Sequence, residues 1–292
     1  MTLSFFIRSG NRVNIGYLGP VGTFSYQVAH RAFPEEQHTA YTTISECLDA
    51  VAANEIDVCL VPFENAIEGT VNVTLDYLYQ NDVPPIQAEY ILPISQNIMV
   101  NKQRSSDWQE ATTILSHPQG LAQCHDYLTK NFPHIKREAV SSTAFAAEYV
   151  STHPDEKTLA IAPLFAAEHY DLDVVRANAQ GNMHNETRFI ALSNRKLAIT
   201  DDPIETKTTL LLKLPDNDSG TLHTMLSTFA WRNINMSKIE SRPTKTRLGQ
   251  YFFHIDLDVG ADNRLLDNAM VEISLLGGTV KVLGSYDVYK IK

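Results

Sequence analysis

Apolar runs of strand length alternate with helix-like segments about six times between residues 13 and 193. The first run, residues 13–18, is followed by a glycine-rich turn and by residues 24–33, whose helical spacing ends at Pro34. This alternation is typical of α/β proteins, in which parallel or mixed sheets carry helices on both faces. A crossover near Val100 and a return near Tyr170 predict two lobes with a cleft between them, the second lobe at about residues 95–170.

A second unit follows a polar linker that contains Asp201, Asp202 and Pro203. Its pattern predicts six elements in the order β-α-β-β-α-β, which is the ferredoxin-like arrangement. Strands are predicted at residues 208–214, 234–240, 251–259 and 280–286, and helices at 219–231 and 263–276. Residues 241–249 are predicted to form a basic turn. We therefore predict two domains, at residues 13–198 and 206–292.

Composition limits the classes of partner and location. A chain of 292 residues can form two domains with cores of their own. The net charge of −10 argues against nucleic acid, and no apolar run reaches transmembrane length. Residues 1–12 lack the features of a signal peptide and are predicted to be a short extension. Cys47, Cys59 and Cys124 lie in apolar surroundings without C-x-x-C spacing, which predicts buried free thiols and a cytoplasmic location.

A polar loop at residues 178–186 leads into a short apolar run at residues 189–192. A loop of this kind before a buried strand can hold side chains at a fixed place. Thr187 offers a hydroxyl that both donates and accepts, and Arg188 offers a planar fork of donors suited to a carboxylate. By residue type alone, a threonine at a strand entrance and a surface arginine remain the more frequent interpretation.

Other polar residues stand where ligands bind in α/β sheets. Glu64 and Asn65 follow an apolar run at residues 56–61, and ligand crevices lie at the carboxyl ends of such strands. The turn that contains Gly22 and opens a helix could present N–H groups to an anion or could face water. Glu64 could equally form an ion pair with a nearby cation.

Two segments have the spacing of a helix capping box. They are Thr43 with Glu46 and Ser116 with Gln119. Either pair can cap a helix without any ligand, and for Thr43 only that role is predicted.

Four segments together resemble the prephenate dehydratase family, in the order that the family has them. They are GPVGTFS (19–25), VPFENAIEG (61–69), SHPQ (116–119) and NETRF (185–189). The second unit resembles the ACT domain, an amino-acid-sensing module. Its ESRP (240–243) matches that domain's motif, whereas GTLH (220–223) differs from Gly-Ala-Leu-Val at two positions.

The resemblance implies a cofactor-free lyase that converts prephenate to phenylpyruvate in L-phenylalanine biosynthesis. The implied architecture is a two-lobed catalytic domain like a periplasmic binding protein, followed by a ferredoxin-like ACT domain. L-Phenylalanine is the implied allosteric effector, either as inhibitor or as activator. The implied assembly is a homodimer or homotetramer through both domains, without metal, nucleic acid or membrane.

The resemblance also implies roles for individual residues. Thr187 is expected to protonate the departing hydroxyl, and Glu64, with a raised pKa, is the alternative acid. The other implied catalytic residues are Arg188, as a carboxylate clamp, and Asn65, which orients the substrate. The expected substrate contacts are Gly22, Thr23, Ser116, Gln119 and Phe189, the last chiefly as a packing anchor. The expected effector contacts are Gly220, Thr221, Leu222, Glu240, Ser241, Arg242 and Pro243.

A function of another class remains open at this stage. A two-lobed sensor that binds a small anion or an amino acid would share the fold and would have no catalytic step. Turnover of prephenate distinguishes the two hypotheses.

Overall fold

The computed structural model describes residues 12–182, 184–216 and 218–291. The predicted extension therefore lies outside the described residues, apart from Arg12. The strands are β1 (Asn14–Leu18), β2 (Gln37–Tyr41), β3 (Val58–Asn65), β4 (Gly69–Thr70), β5 (Ile86–Pro93), β6 (Asn97–Asn101), β7 (Thr113–Ser116), β8 (Lys136–Ala139), β9 (Thr158–Ala162), β10 (Leu172–Arg176), β11 (Glu186–Leu192), β12 (Glu205–Lys213), β13 (Met236–Pro243), β14 (Tyr251–Leu257) and β15 (Thr279–Lys290). The α-helices are α1 (Phe24–Ala32), α2 (Ile44–Ala52), α3 (Asn72–Gln80), α4 (Pro118–Gln123), α5 (His125–Asn131), α6 (Thr143–Thr152), α7 (Leu164–His169), α8 (Thr221–Ala230) and α9 (Arg264–Leu275). The predicted α/β fold class is confirmed.

Side-chain caps account for where several helices begin. Thr23 and Ser142 each accept a hydrogen bond from the backbone N–H three residues later, at α1 and α6. The capping box of Thr43 and Glu46 is present in both directions at α2. These hydroxyl and carboxylate oxygens satisfy N–H groups that have no acceptor within the helix.

The capping box predicted for Ser116 and Gln119 is wrong. The N-cap of α4 is His117, whose Nδ1 accepts the backbone N–H of Gln119 at 3.3 Å. Ser116 is fully buried at the end of β7, and its hydroxyl donates to the Ile161 carbonyl at 2.8 Å. Its oxygen therefore joins two strands and does not cap the helix.

Two sheets form the first half of the chain. β1 pairs in parallel with both β2 and β3, and β4 forms a hairpin with β3. The second sheet has the order β10-β6-β9-β7-β8, in which β7 is parallel to β8 and β9. Apolar clusters pack on its two faces, one around Met99, Leu115 and Ala160 and the other around Ile98, Ile114 and Leu159.

The predicted β-α-β-β-α-β order is present as β12-α8-β13-β14-α9-β15. Its strands pair antiparallel with one another in the order β13-β14-β12-β15. Leu210, Phe229, Ile255 and Ile273 lie in the core between this sheet and its two helices. Ser241 and Arg242 pair with β14, so the turn predicted to begin at residue 241 is wrong at its first three residues.

The chain folds into two compact units whose boundaries differ from the predicted domain boundaries. Asn72–Ile91 and Ile190–Lys290 form one unit, and the remaining described residues form the other. Within the former unit, β5 pairs in parallel with β15, Ala88 lying opposite Asp287. The assignment of domains to residues 13–198 and 206–292 stays a prediction.

Helix α3 is fastened to the sheet of its own unit by charges, hydrogen bonds and a ring stack. Asp76 accepts two hydrogen bonds from Arg242, at 2.7 and 2.9 Å, and one from Lys245 at 2.7 Å. The Tyr79 ring stacks on Phe252 at 4.0 Å between centroids. Burial alone would raise the pKa of Asp76, but the hydrogen bonds and charges of Arg242 and Lys245 outweigh it and lower that pKa.

All three cysteines are buried and free, as predicted. Burial raises the pKa of the Cys124 thiol to about 12, so the neutral thiol is its stable form. Within the described part of the chain, no helix combines the length and the apolar character needed to cross a bilayer.

We expect Asp76→Asn to lower the free energy of unfolding by about 1–3 kcal/mol, because it removes a charged acceptor that serves two cations. Since the folded-state pKa of Asp76 lies below its usual 3.8, the stabilisation is complete above about pH 5 and is lost as the pH falls through the folded-state pKa. Urea denaturation at several pH values should therefore show the two proteins converging below about pH 4. The matched control is Asp82→Asn, at a fully exposed carboxylate 3.6 Å from Lys281. A gap that stays constant down to pH 3 would contradict the account.

Candidate active site

The side chain of Asn65 connects two of the segments singled out in the sequence. Asn65 is the last residue of β3 and is 8% exposed. Its Oδ1 accepts the backbone N–H groups of Ile67 at 3.0 Å and Glu68 at 3.1 Å. Since a backbone N–H can only donate, these bonds identify Oδ1 as the acceptor and fix the orientation of the amide.

The Nδ2 group of Asn65 must then donate on its other side. It donates to Asn185 Oδ1 at 2.8 Å and to Thr187 Oγ1 at 2.9 Å. Asn185 and Thr187 are 2% and 9% exposed, so the network is almost free of solvent. Because the Thr187 oxygen accepts from Asn65, its own O–H remains available to donate.

Arg188 and Glu64 form a second contact between the same two segments. Arg188 Nη1 lies 2.7 Å from Glu64 Oε2, and the two side chains are 15% and 24% exposed. The guanidinium carbon also lies 5.6 Å from the centre of the Phe63 ring. The charge of Arg188 is therefore matched by a protein carboxylate, as the ion-pair interpretation of Glu64 expected. The clamp role of Arg188 stays a prediction.

The Gly22 turn is occupied by protein contacts. Gly22 has φ +86°, and a Cβ at this position would lie 3.0 Å from Tyr170. The hydroxyl of Tyr170 donates to the Val21 carbonyl, and the hydroxyl of Thr23 donates to Leu18 and Pro20 carbonyls while it caps α1. Ser116 is likewise committed to the Ile161 carbonyl. These contacts support a scaffold role for the three residues, and their predicted contacts with substrate stay untested.

A cavity of about 220 Å³ lies beside the Asn65 network. Among the described residues, its wall has one carboxylate and five carboxamides and no cation. The lining residues are Ile67, Glu68, Gln119, Ala122, Gln123, Gln180, Asn182 and Asn185. Of the predicted site residues, Gln119 belongs to this wall. Hydrogen bonds rather than ion pairs must therefore hold a ligand against it.

Gln96 stands behind this wall and orients two of its carboxamides. Its backbone N–H donates to Gln180 Oε1 at 2.9 Å, and its Nε2 donates to Gln123 Oε1 at 3.1 Å. Gln96, Gln123, Gln180 and Asn185 were not predicted as site residues, because they share no local spacing and meet only in the fold. Phe189 is 2% exposed, which fits a packing anchor.

The predicted effector residues lie in the unit that contains β12–β15. Gly220, with φ +91°, caps α8, and the hydroxyl of Thr221 donates to Asp216 at 2.8 Å. Leu222 packs against the core of that unit. Glu240, Ser241, Arg242 and Pro243 are in β13, and Arg242 is held by Asp76.

A cavity of about 640 Å³ in that unit has a wall that, over the described residues, includes none of the predicted effector residues. Lys213, Lys245, Lys281, Tyr79 and Phe252 contribute to it. The effector assignments stay predictions.

Comparison with known proteins identifies the relatives of this chain. The family model for prephenate dehydratase matches residues 15–197. A prephenate dehydratase from Bacillus subtilis (strain 168) is 44% identical over 290 residues, covering 96% of this chain and 100% of that protein. One from Methanocaldococcus jannaschii is 34% identical over 278 residues, covering 94% and 97%.

Solved structures give the same result for the fold. The prephenate dehydratase from Arthrobacter aurescens, in complex with L-Phe, superposes with a TM-score of 0.81 at 31% identity, covering 94% of this chain and 90% of that one. The enzyme from Staphylococcus aureus subsp. aureus Mu50 superposes with a TM-score of 0.79 at 30% identity, covering 94% and 99%. The family match and these relatives favour a small-molecule lyase over a sensor without a catalytic step. The chain belongs to the prephenate dehydratase family, which confirms the predicted resemblance.

The contact between Ser116 and Gly120 predicts an energetic coupling in the SHPQ segment. A Cβ at Gly120 would overlap Ser116 Oγ, whereas it would lie 3.4 Å from Ser116 Cβ. We expect Gly120→Ala to lower the free energy of unfolding by about 1–3 kcal/mol, the usual cost of overpacking. In a Ser116→Ala background the same change should be neutral or stabilising, because alanine favours helix over glycine. Urea denaturation of the four proteins measures the coupling, and additive effects would refute the contact.

Proposed function

We propose that this chain catalyses the conversion of prephenate to phenylpyruvate, water and carbon dioxide, the reaction of its family. The observation that carries the proposal is the buried Asn65–Thr187 hydrogen bond beside an amide-lined cavity. This hydrogen bond supports a role for the Thr187 hydroxyl as a proton donor, because it holds the hydroxyl where solvent is largely excluded. In such a site a weak acid can act on one bond of a bound ligand.

The reaction needs little from a catalyst beyond binding and one proton. The bond between the ring carbon and the hydroxyl oxygen breaks, and the bond between the ring and its carboxylate breaks with it. The electron pair of the second bond enters the ring, which becomes aromatic as carbon dioxide leaves. The departing oxygen takes a proton and leaves as water.

Thr187 is proposed to supply that proton and to regain one from solvent after each turnover. The Asn65 amide holds the Thr187 oxygen as an acceptor, so the hydroxyl hydrogen is directed elsewhere. An alcohol is a weak acid, and its effect must come from position. General acids placed in this way contribute roughly 10²–10⁴-fold to rate.

Arg188 is proposed to bind a carboxylate of the substrate, and Glu64 holds its guanidinium in place. The guanidinium carries a rigid fork of donors, and one arm reaches Glu64 at 2.7 Å. A carboxylate of the substrate is proposed to bind this guanidinium. Glu64 is the alternative acid, and substitution of each residue separates it from Thr187.

The remaining site assignments are proposed with narrower roles. Gln119 contributes its amide to the cavity wall, and Phe189 anchors β11. Asn65 positions Thr187, since both ends of its amide are engaged with the protein. Gly22, Thr23 and Ser116 hold the scaffold around the site.

L-Phenylalanine is proposed as the allosteric effector, bound by an ACT domain at residues 206–292. The β-α-β-β-α-β order supports this, as does the Arthrobacter aurescens relative, which was crystallised with L-Phe. The proposed contacts are Gly220, Thr221, Leu222, Glu240, Ser241, Arg242 and Pro243.

A homodimer or homotetramer is proposed as the assembly, and the buried free thiols support a cytoplasmic location.

Thr187→Ala is expected to lower kcat for prephenate by roughly 10²–10⁴-fold, because the proton donor is lost. Thr187→Ser keeps the hydroxyl and should retain activity within about tenfold of the parent chain. Phenylpyruvate absorbance after addition of alkali measures turnover. Thr152→Ala, at an exposed hydroxyl at the end of α6, is the control. If Thr187→Ala turns over normally while Glu64→Gln is inactive, Glu64 is the acid.

L-Phenylalanine is expected to bind the full-length protein, and Ser241→Ala should weaken binding by about 2- to 10-fold through loss of one hydrogen bond. Ser237→Ala is the matched control, since both serines are on β13. Isothermal titration calorimetry measures both affinities. Absence of binding to the parent chain at millimolar L-phenylalanine would reject the effector.

A further inference from the structure

Asn185 carries a buried donor for which the described residues supply no acceptor. Its Oδ1 accepts from Asn65, whose own orientation is set by two backbone N–H groups. Asn185 Nδ2 is therefore the donor end of the amide. Among the residues that the structure describes, none places an acceptor within hydrogen-bonding distance of this atom, although Asn185 is only 2% exposed.

A buried donor without an acceptor is costly. An unsatisfied polar group of this kind destabilises a fold, and native proteins leave few of them. Asn185 also lines the 220 Å³ cavity. A ligand in that cavity with a hydrogen-bond acceptor would satisfy the amide. Its binding would remove the free-energy penalty of the unpaired donor, so the cavity should favour ligands that carry an acceptor at this place.

The Asn185 donor belongs to the same hydrogen-bond network as the Thr187 hydroxyl. Asn185 Oδ1 and Thr187 Oγ1 both accept from one nitrogen, Asn65 Nδ2, at 2.8 and 2.9 Å, and the Glu186 carbonyl lies 3.4 Å from the same atom. The two acceptors consequently lie within two hydrogen-bond lengths of each other. The Asn185 amide and the Thr187 hydroxyl therefore belong to one cluster around Asn65 Nδ2.

We propose that Asn185 is a second hydrogen-bond donor to the oxygen that leaves prephenate, acting beside Thr187. The inference rests on the proposed function and adds a residue to its site. Thr187 transfers the proton, and the Asn185 amide stabilises the negative charge that develops on the oxygen before the proton arrives. Such a donor contributes most where charge grows in the transition state.

Asn185→Asp is the sharpest test, because the aspartate keeps the oxygen that accepts from Asn65 and replaces only the donor. At neutral pH we expect kcat to fall by about 10- to 100-fold with a small change in KM, as for an interaction made in the transition state. Protonation of the aspartate restores an O–H donor. The activity of the variant relative to the parent chain should therefore rise as the pH falls from about 8 to about 4.5, after subtraction of the uncatalysed rate.

Two further variants separate the donor from charge and from folding. Asn185→Ala should lose activity to a similar extent, but its ratio to the parent chain should not change with pH. Asn182→Asp places the same charge in the same cavity wall and should cost less than Asn185→Asp, because Asn182 is exposed and its Oδ1 already accepts from the His184 N–H. Thermal melting checks that each variant is folded.

The outcomes distinguish this inference from the proposed function. If the parent chain does not convert prephenate, the proposed function fails. If the parent chain is active and Asn185→Asp matches it, or is impaired no more than Asn182→Asp, only the inference fails. A pH-independent loss in folded Asn185→Asp would assign Asn185 a purely structural role and would also overturn it.

Discussion

The fixed orientation of one buried amide, that of Asn65, determines what the rest of the site can do. Two backbone N–H groups identify its oxygen, its nitrogen then has to donate, and the next two side chains have to accept. The backbone N–H groups of the turn after β3 thus determine that the side-chain oxygens of Asn185 and Thr187 accept hydrogen bonds. At the far end are two groups that can donate, the Asn185 amide and the Thr187 hydroxyl. An aspartate at this position could not reproduce the pattern, because its ionised carboxylate only accepts.

Exclusion of solvent strengthens the hydrogen bonds of this network. The three side chains of the network are at most 9% exposed, and the adjacent cavity is lined by amides. In such surroundings a hydrogen bond is stronger than in water, and an unmade one costs more. The charged pair of Arg188 and Glu64 is more exposed, with 15% and 24% of its side chains accessible, and it therefore keeps part of its hydration.

Much of the fold was predictable from sequence because apolar periodicity records which faces are buried. The helices of residues 24–33 and 219–231 and the β-α-β-β-α-β order follow from that signal. Strand β2 escaped prediction because its five residues, QHTAY, are exposed or half-buried at the sheet edge and contain no apolar run. In the site, local motifs indicated Thr187 and Asn65. Asn185 belongs to the NETRF motif without a local signal of its own, and Gln96 and Gln123 have none either, because nothing local indicates that distant carboxamides converge. The same holds for Asp76 and Arg242, which lie 166 residues apart.

The pairing of β5 with β15 bears on how this protein can be taken apart. Residues 72–91 fall inside the range matched by the family model, yet they complete the fold of the unit formed by residues 190–290. Excision at the linker near residue 203 would strip a strand from β15 and leave a bare sheet edge, which favours aggregation. Chimeras that exchange the C-terminal portion between relatives should therefore carry the donor's α3 and β5 along with it. The segments that must be exchanged together in this chain are those that pack together, and they are not contiguous in the sequence.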